Sequence, residues 1–384
     1  MKERLDVLIV GAGPAGSSAA IALARRGYAT ALIDKQRFPR EKICGDFINP
    51  INWPVFEELG VAGRLFAAAG AHVGRFRITT CSGAAAETAL AAAVGPRSGG
   101  LALRRALLDQ VLVERAVELG AQARLGCRIV DLARTEQGWR VTLGSGITLR
   151  ARAILGADGR NSRVARRLGL STGAPAQGPC VGFQARLRSS AVPPGVIEIH
   201  IFPGGYAGLV ALGDGTVNLG LAVERARLPR HGIEEFLFAG CLPQNPHLRS
   251  ILRRSERPAE VRSAYPVYVP ARRGHAERVL LTGDAVRVTE PISGEGVYFA
   301  LRSGLLAGEA IDGALRRGDL SANYLRRYEV ACARSFRRRT ILNGLLRFAV
   351  YRPALLEPLI RLSEKNGRAL SALVDRVCQR QAVY

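Results

Sequence analysis

Gly11-Ala12-Gly13-Pro14-Ala15-Gly16 stands directly behind the apolar run Leu5 to Val10, and this feature constrains the fold most. The run is rich in β-branched residues and stops at Gly11, which suits a buried parallel strand. Ser17 to Arg26 then predicts a helix closed by Gly27, and Thr30 to Ile33 predicts a second strand. Together they form a β-α-β unit of about 30 residues. Inside such a unit, G-x-G-x-x-G has a specific physical meaning. Gly11 permits the tight turn, Gly13 lets the backbone approach a pyrophosphate, and Gly16 allows close helix–strand packing. Pro14 and Ala15 complete the loop at a helix N-terminus, whose free N–H groups and positive dipole end attract phosphates. Asp34 ends the second strand, 18 residues after Gly16, and Lys35 follows it. An acid there accepts hydrogen bonds from ribose hydroxyls and repels a 2′-phosphate, so NADP is not expected at this loop. On these residues alone, NAD and FAD both remain open.

Further along, Arg105 to Leu119 has leucines and valines at helical spacing and ends at Gly120. Strands follow around Trp139 to Leu143 and Ala153 to Leu155. From Val181 to Val223 the pattern changes to alternation, as in Val196-Ile197-Glu198-Ile199-His200-Ile201, which predicts an antiparallel sheet. Val279 to Thr282 returns to a short buried strand, and a helix runs from Gly296 to Leu315. After Ala331 the chain is helical and basic. Ile341, Leu342, Leu345, Leu346 and Ala349 form one apolar stripe, and Leu355, Leu356, Leu359 and Ile360 form another. Such stripes pack against a protein body, or lie on lipid as a basic amphipathic surface.

Fifty-five Lys+Arg face 32 Asp+Glu, a net charge of +23. A solvated arginine-rich surface explains this, and so does a contact with an anionic membrane or an acidic partner. Nucleic acid is not expected, because aromatic residues are 6% and no nucleic-acid motif is present. The seven cysteines are odd in number, widely spaced and without a Cys-x-x-Cys pair, so neither a disulfide framework nor a zinc site is expected. A reducing cytoplasm fits that pattern. The first 25 residues are glycine-interrupted, as a strand-turn-helix requires and a signal peptide does not.

Three blocks together resemble the FAD-dependent geranylgeranyl reductase family, within the p-hydroxybenzoate hydroxylase-like flavoprotein superfamily. The first is the N-terminal unit continuing through Arg37-Phe38-Pro39-Arg40-Glu41-Lys42-Ile43-Cys44-Gly45-Asp46. The second is Gly156-Ala157-Asp158-Gly159-Arg160-Asn161-Ser162. The third is Thr282-Gly283-Asp284-Ala285 with Pro291-Ile292-Ser293-Gly294-Glu295-Gly296. Arg105-Ala106-Leu107-Leu108-Asp109 is similar to the segment that opens a helix near the FAD pyrophosphate.

The resemblance implies an α/β fold: a Rossmann-type FAD-binding domain interleaved with an antiparallel-sheet substrate domain, plus C-terminal helices. The expected FAD-binding parts are 1–72, 99–180 and 263–325. The substrate-domain parts are 73–98 and 181–262, and the helical segment is 326–384. Asp284, beside Gly283, would meet the ribityl chain and pyrophosphate. Pro291 and Gly294 to Gly296 would open a helix toward flavin N1 and O2. Asp158 would bridge the FAD and reductant regions, although Asp-Gly alone is a common turn. Gly45 and Arg105 would also touch the cofactor. Cys44 lies where the family places a cysteine beside the flavin, to protonate or position substrate, or simply as a buried thiol. Asp46 is an acid–base group or a loop cap, and His200 faces either the substrate cavity or the surface.

The departure is His200-Ile201-Phe202-Pro203, which keeps Phe-Pro without the family's tryptophan. It suggests a small apolar or carrier-linked substrate other than a plain isoprenoid. The expected activity is hydride transfer between flavin N5 and a C=C/C–C bond. A flavin monooxygenase and a non-catalytic flavin-binding partner protein stay open as alternatives. No second G-x-G-x-x-G in a strand-turn-helix context is present, so electrons would come from transiently bound NAD(P)H or another donor. No metal is expected, and oligomeric state is left open.

Overall fold

The computed structural model describes residues 4–90, 98–170, 180–365 and 367–378. The strand β1 (Arg4–Val10) leads through the glycine loop into α1 (Pro14–Ala24) and then β2 (Thr30–Asp34). α1 starts at Pro14, three residues before the expected position, because proline's fixed φ suits the first helical turn and needs no N–H partner. All its residues are buried.

An eight-stranded sheet has β1 at its centre, paired in parallel with β2 and with Thr148–Gly156. Val279–Leu281 continues the parallel set beside Thr148–Gly156. Register decides where the loops meet. Val10 pairs with both Ile33 and Gly156, and Gly156 pairs with Leu281. Four strands thus end level, and the chain leaves them as Gly11, Asp34, Ala157-Asp158 and Thr282-Gly283-Asp284. Ligands of open α/β sheets bind in this crevice beyond the carboxyl ends. The antiparallel strands Ile129–Thr135 and Gly138–Leu143 extend the sheet from Thr148–Gly156.

The helix Gly296–Arg317 packs along α1. Its Gly304 makes that contact close: a Cβ there would stand 2.1 Å from Ser18 Oγ and 2.2 Å from the Ala15 carbonyl oxygen. Ser18 Oγ donates to the Leu301 carbonyl at 2.9 Å, joining the two helices.

A second sheet has seven strands, ordered Val261–Ala264, Cys180–Arg188, Thr216–Glu224, Gly205–Ala211, Val196–Phe202, Arg75–Thr79 and Ala85–Ala89. It is antiparallel except between Val196–Phe202 and Arg75–Thr79, which run parallel. Residues 91–97 and 171–179, near two expected domain boundaries, lie outside the described residues. The helices Arg327–Val350, Pro353–Lys365 and Arg368–Cys378 follow, and the last two pack on Ala85–Ala89. No helix among the described residues is long and apolar enough to cross a membrane.

Candidate active site

The level strand ends open into a cavity of about 900 Å³, lined by both sheets and by the C-terminal helices. At its base the glycine loop is closely built. Gly11 has φ +106°, and a Cβ there would lie 2.3 Å from the Ala157 carbonyl oxygen. A Cβ on Gly16 would lie 1.8 Å from the Gly11 carbonyl oxygen. Asp34 Oδ2 accepts from the Ala12 N–H at 2.9 Å, and Oδ1 accepts from the Gln36 N–H at 2.9 Å. Asp34 therefore shapes the loop as well as facing the cavity, where Gly13, Pro14, Ala15 and Lys35 also stand.

Two long helices begin at this cavity, α1 and Gly296–Arg317, and neither has a side-chain N-cap. Their first-turn N–H groups offer two separate positive ends. Cations gather between them. Arg40 Nη2 lies 3.4 Å from the place a Gly13 Cβ would take. Burial pulls the Lys42 ammonium below its ordinary range, Asp284 pulls it back up, and Arg160, Arg105 and Arg40 push it down. Asp109 is 0% exposed and holds two guanidinium groups: Arg105 binds it in two-point fashion at 3.0 and 3.0 Å, and Arg40 at 3.1 Å. Asp109 thereby aims Arg40 across the glycine loop. The donor set suits an extended dianion with a polar ring at its far end, which is the chemistry of FAD. Arg40 and Lys42 were not singled out from sequence, although they lie inside the Arg37 to Asp46 block, and the C-terminal helices were expected to pack on the body or lie on lipid rather than to line this cavity.

Gly45, Arg105, Asp158, Asp284, Pro291, Gly294 and Gly296 line the same cavity, and so does Cys44. The Cys44 carbonyl accepts from Gln184 Nε2 at 2.8 Å and Asn218 Nδ2 at 3.1 Å. A Cβ on Gly220 would lie 3.5 Å from Gly45 Cα, so the second sheet presses against this turn. Burial pushes the Cys44 thiol up, and the nearby Arg105 charge works against that. The thiol is protonated at neutral pH.

Three polar residues expected at or near the site are committed to partners within the fold. Asp46 is 0% exposed and does not line the cavity. Its Oδ1 accepts from the Arg105 N–H at 3.1 Å, and Oδ2 meets Arg186 Nη2 at 3.2 Å. It caps the helix Arg105–Glu118 from a left-handed backbone position with φ +50°. The loop-capping role holds over the acid–base role. Asp158 does reach the cavity, but its Oδ2 accepts from the N–H groups of Arg163 at 2.6 Å and Val164 at 3.2 Å. It caps the short helix Arg163–Arg167, as a carboxylate at a helix start does. His200 is 1% exposed and lies on the sheet face opposite Ile197 and Ile199, which line the cavity. Its Nδ1 pairs with Thr79 Oγ1 at 2.7 Å and its Nε2 with Glu198 Oε2 at 3.3 Å. Burial lowers its pKa and Glu198 opposes that. It is a satisfied core histidine, neither cavity-facing nor exposed.

Asp46 also sets a pH dependence. Burial raises its pKa to about 6 against the pull of Arg186 and Arg105. An unfolded aspartate titrates near about 4, so the unfolded chain releases this proton first. Stability from this group is thus present below about pH 4 and lost as pH rises through about 6. Asp46→Asn removes that loss, and asparagine accepts the left-handed backbone. Urea unfolding should show the variant gaining about 1–3 kcal/mol on the wild type between pH 5 and pH 7.5. Parallel pH profiles for the two proteins would refute the assignment.

The FAD binding domain family matches residues 4–208. Digeranylgeranylglycerophospholipid reductase 1 of Methanopyrus kandleri is 30% identical over 350 residues, covering 86% of this chain and 87% of the relative. A geranylgeranyl bacteriochlorophyll reductase-like protein from Thermoplasma acidophilum has the same fold, with a TM-score of 0.79 at 21% identity, covering 97% of this chain and 99% of that one. The myxobacterial chondrochloren halogenase superposes with a TM-score of 0.76 at 20% identity, covering 98% and 97% of the two chains. With the glycine loop, the two open helix ends and the cations between them, these matches identify the chain as an FAD-dependent oxidoreductase of the geranylgeranyl reductase family, within the p-hydroxybenzoate hydroxylase-like flavoprotein superfamily.

Proposed function

We propose that this protein hydrogenates carbon–carbon double bonds in an isoprenoid chain carried by a lipid headgroup. The observation that carries the reading is the second half of the cavity. Beyond the glycine loop its walls turn apolar: Phe76, Ile78, Ile197 and Ile199 come from the second sheet, and Leu346, Val350, Leu370 and Val374 from the C-terminal helices. Such walls hold a long hydrocarbon by area and exclude water from it. The relative named above as a digeranylgeranylglycerophospholipid reductase supports the same reading, against the substrate shift that the missing tryptophan suggested. The halogenase likeness, at 20% identity, shows shared fold alone.

Bound FAD, once reduced by NAD(P)H or another donor, supplies a hydride at N5. The chain's residues do the rest. Asp34, Arg40, Lys42, Arg105 and Asp284 bind and orient the cofactor, and Asp158 holds the neighbouring turn. Cys44 and Gly45 form the wall between cofactor and substrate, where the neutral thiol positions the alkene.

The test is an anaerobic turnover of the reduced holoprotein with a geranylgeranyl-bearing glycerophospholipid, read by mass spectrometry. Products gaining two hydrogens per double bond are expected. A hydroxylated or halogenated product formed only with oxygen would overturn the reading.

The C-terminal helices also carry the outward surface we assign to an anionic bilayer. Ile341, Leu345 and Phe348 are 59%, 64% and 54% exposed and follow one helical stripe, with the exposed Arg334, Arg337 and Arg338 before them and Arg352 after. Apolar insertion and basic attraction are the two components of interfacial binding. Co-sedimentation with phosphatidylglycerol vesicles is expected at low salt, with at least about a tenfold loss of affinity in the Ile341→Ser, Leu345→Ser, Phe348→Ser variant. Equal binding by this variant and the wild type would remove these helices from the contact.

A further inference from the structure

Saturating a double bond needs a proton as well as a hydride, and an apolar chamber holds few groups able to give one. Tyr206 is such a group: it lines the cavity on Gly205–Ala211 and is 4% exposed. Its Oη lies 2.8 Å from Glu290 Oε1, and Tyr351 Oη lies 3.3 Å from the same oxygen. Glu290 is 2% exposed and stands directly before the Pro291 to Gly296 turn, so the pair joins the substrate wall to the cofactor loop. Gly208, two residues along the strand from Tyr206 and on the same face, pairs with Gly220, which abuts Gly45. The phenol therefore lines the cavity two residues along the same face from the position opposite the Cys44–Gly45 turn. Burial pushes the Glu290 carboxyl up, while hydrogen bonds from Tyr206 and Tyr351 and the Arg347 charge pull it down. Burial, with Glu290 beside it, also holds the Tyr206 phenol neutral, and Cys180 is a further titratable neighbour.

We propose that Tyr206 is the catalytic proton donor of alkene reduction, with Glu290 returning its proton. This rests on the alkene-reductase reading above. The phenolic O–H bond breaks as a C–H bond forms at one alkene carbon, and the other carbon takes the hydride. Glu290, as a carboxylic acid, passes its proton to the phenolate oxygen. The resulting carboxylate regains a proton from solvent by way of Tyr351, which is half-buried. Tyr206 touches the substrate, and Glu290 acts through it as a positioning residue.

The experiment compares wild type, Tyr206→Phe, Glu290→Gln and Tyr351→Phe as holoproteins in single turnovers with the geranylgeranyl phospholipid. Tyr206→Phe is expected to slow hydrogenation by about 100-fold or more. Its KM, FAD affinity and Tm should stay near wild type, which separates proton donation from anchoring of the cofactor loop. Tyr351→Phe should slow the return of the proton to Glu290, read as a fall in the steady-state rate after the first turnover. Infrared difference spectra of the protein without substrate should show a protonated-carboxyl band that disappears in Glu290→Gln and shifts in Tyr206→Phe. If Tyr206→Phe does not fold, difluorotyrosine at position 206 keeps the ring and its hydrogen bond while changing the acidity, and a changed pH–rate profile is expected. An unchanged rate in Tyr206→Phe or an unchanged profile in the difluorotyrosine protein overturns the proposal and leaves the reductase reading standing. A loss of FAD affinity that matches the loss of rate assigns the pair to loop anchoring and overturns it also. A wild type that hydrogenates nothing overturns both.

Discussion

A Gly11→Ala protein is expected to purify without FAD and to take up added FAD at least about 100-fold more weakly than wild type, a loss of about 2.7 kcal/mol. Two costs combine at this position. The backbone holds φ +106°, which residues with a Cβ rarely adopt. The new methyl carbon would also stand 2.3 Å from the Ala157 carbonyl oxygen, on the chain leaving the neighbouring strand. Neither backbone segment can yield without moving the α1 N-terminus or Asp158. Gly27→Ala is the control. It has a similar left-handed backbone, φ +78°, with nothing within 4 Å of the added carbon. It should cost about 1 kcal/mol of stability and leave FAD bound. Equal flavin content in the two variants, read by absorbance per protein, would show that the loop does not hold the cofactor.

Asp109→Ala should produce the largest loss of stability. The carboxylate is completely buried and bridges Arg105 and Arg40, whose side chains are 11% and 12% exposed. Removing it leaves two guanidinium groups side by side in a poorly solvated place. Breaking a buried pair from one side costs about 3–5 kcal/mol. Urea unfolding at neutral pH measures this, and a change below about 1 kcal/mol would assign the cluster a surface-like worth. FAD affinity should fall as well, because Asp109 holds Arg40 over Gly13. Asp109→Asn keeps the shape but not the charge, and should fall between the alanine variant and wild type.

Much of the cofactor-binding half is legible in the sequence, because its signals are local. A β-branched run, a glycine spacing and a following helix are read within about 30 residues. Asp34 announces itself by its place at a strand end, while Asp284 and Gly294 to Gly296 are recognised by resemblance to the family. The second sheet shows in its alternation, although the parallel partnering of Arg75–Thr79 with Val196–Phe202 does not. That pairing joins segments far apart in the chain, and alternation is the same for either strand direction.

The roles of single polar residues needed the tertiary structure. Asp46 reads as a catalytic group, Asp158 as a cofactor contact and His200 as a cavity or surface residue when taken as letters. Each proves to be committed to a partner: Arg105 and Arg186, the helix at Arg163, and Thr79 with Glu198. Tyr206 and Glu290 are 84 residues apart, and only folding brings them together over the cavity. The C-terminal helices are similar. Periodicity predicts helix and apolar stripe, but not that Leu346, Val350, Leu370 and Val374 roof the chamber while Ile341, Leu345 and Phe348 face outward.

The glycine spacing and its flanks specify a dinucleotide-binding β-α-β unit at Gly11 to Gly16, and resemblance says which dinucleotide it serves. Backbone conformation and helix polarity follow from neighbours along the chain, so they can be read there. The tertiary structure decided which acids are spent as caps, which tyrosine lines the cavity, and what encloses its apolar half. Burial and partner choice depend on contacts across the fold, and a residue's charge state and chemistry depend on both.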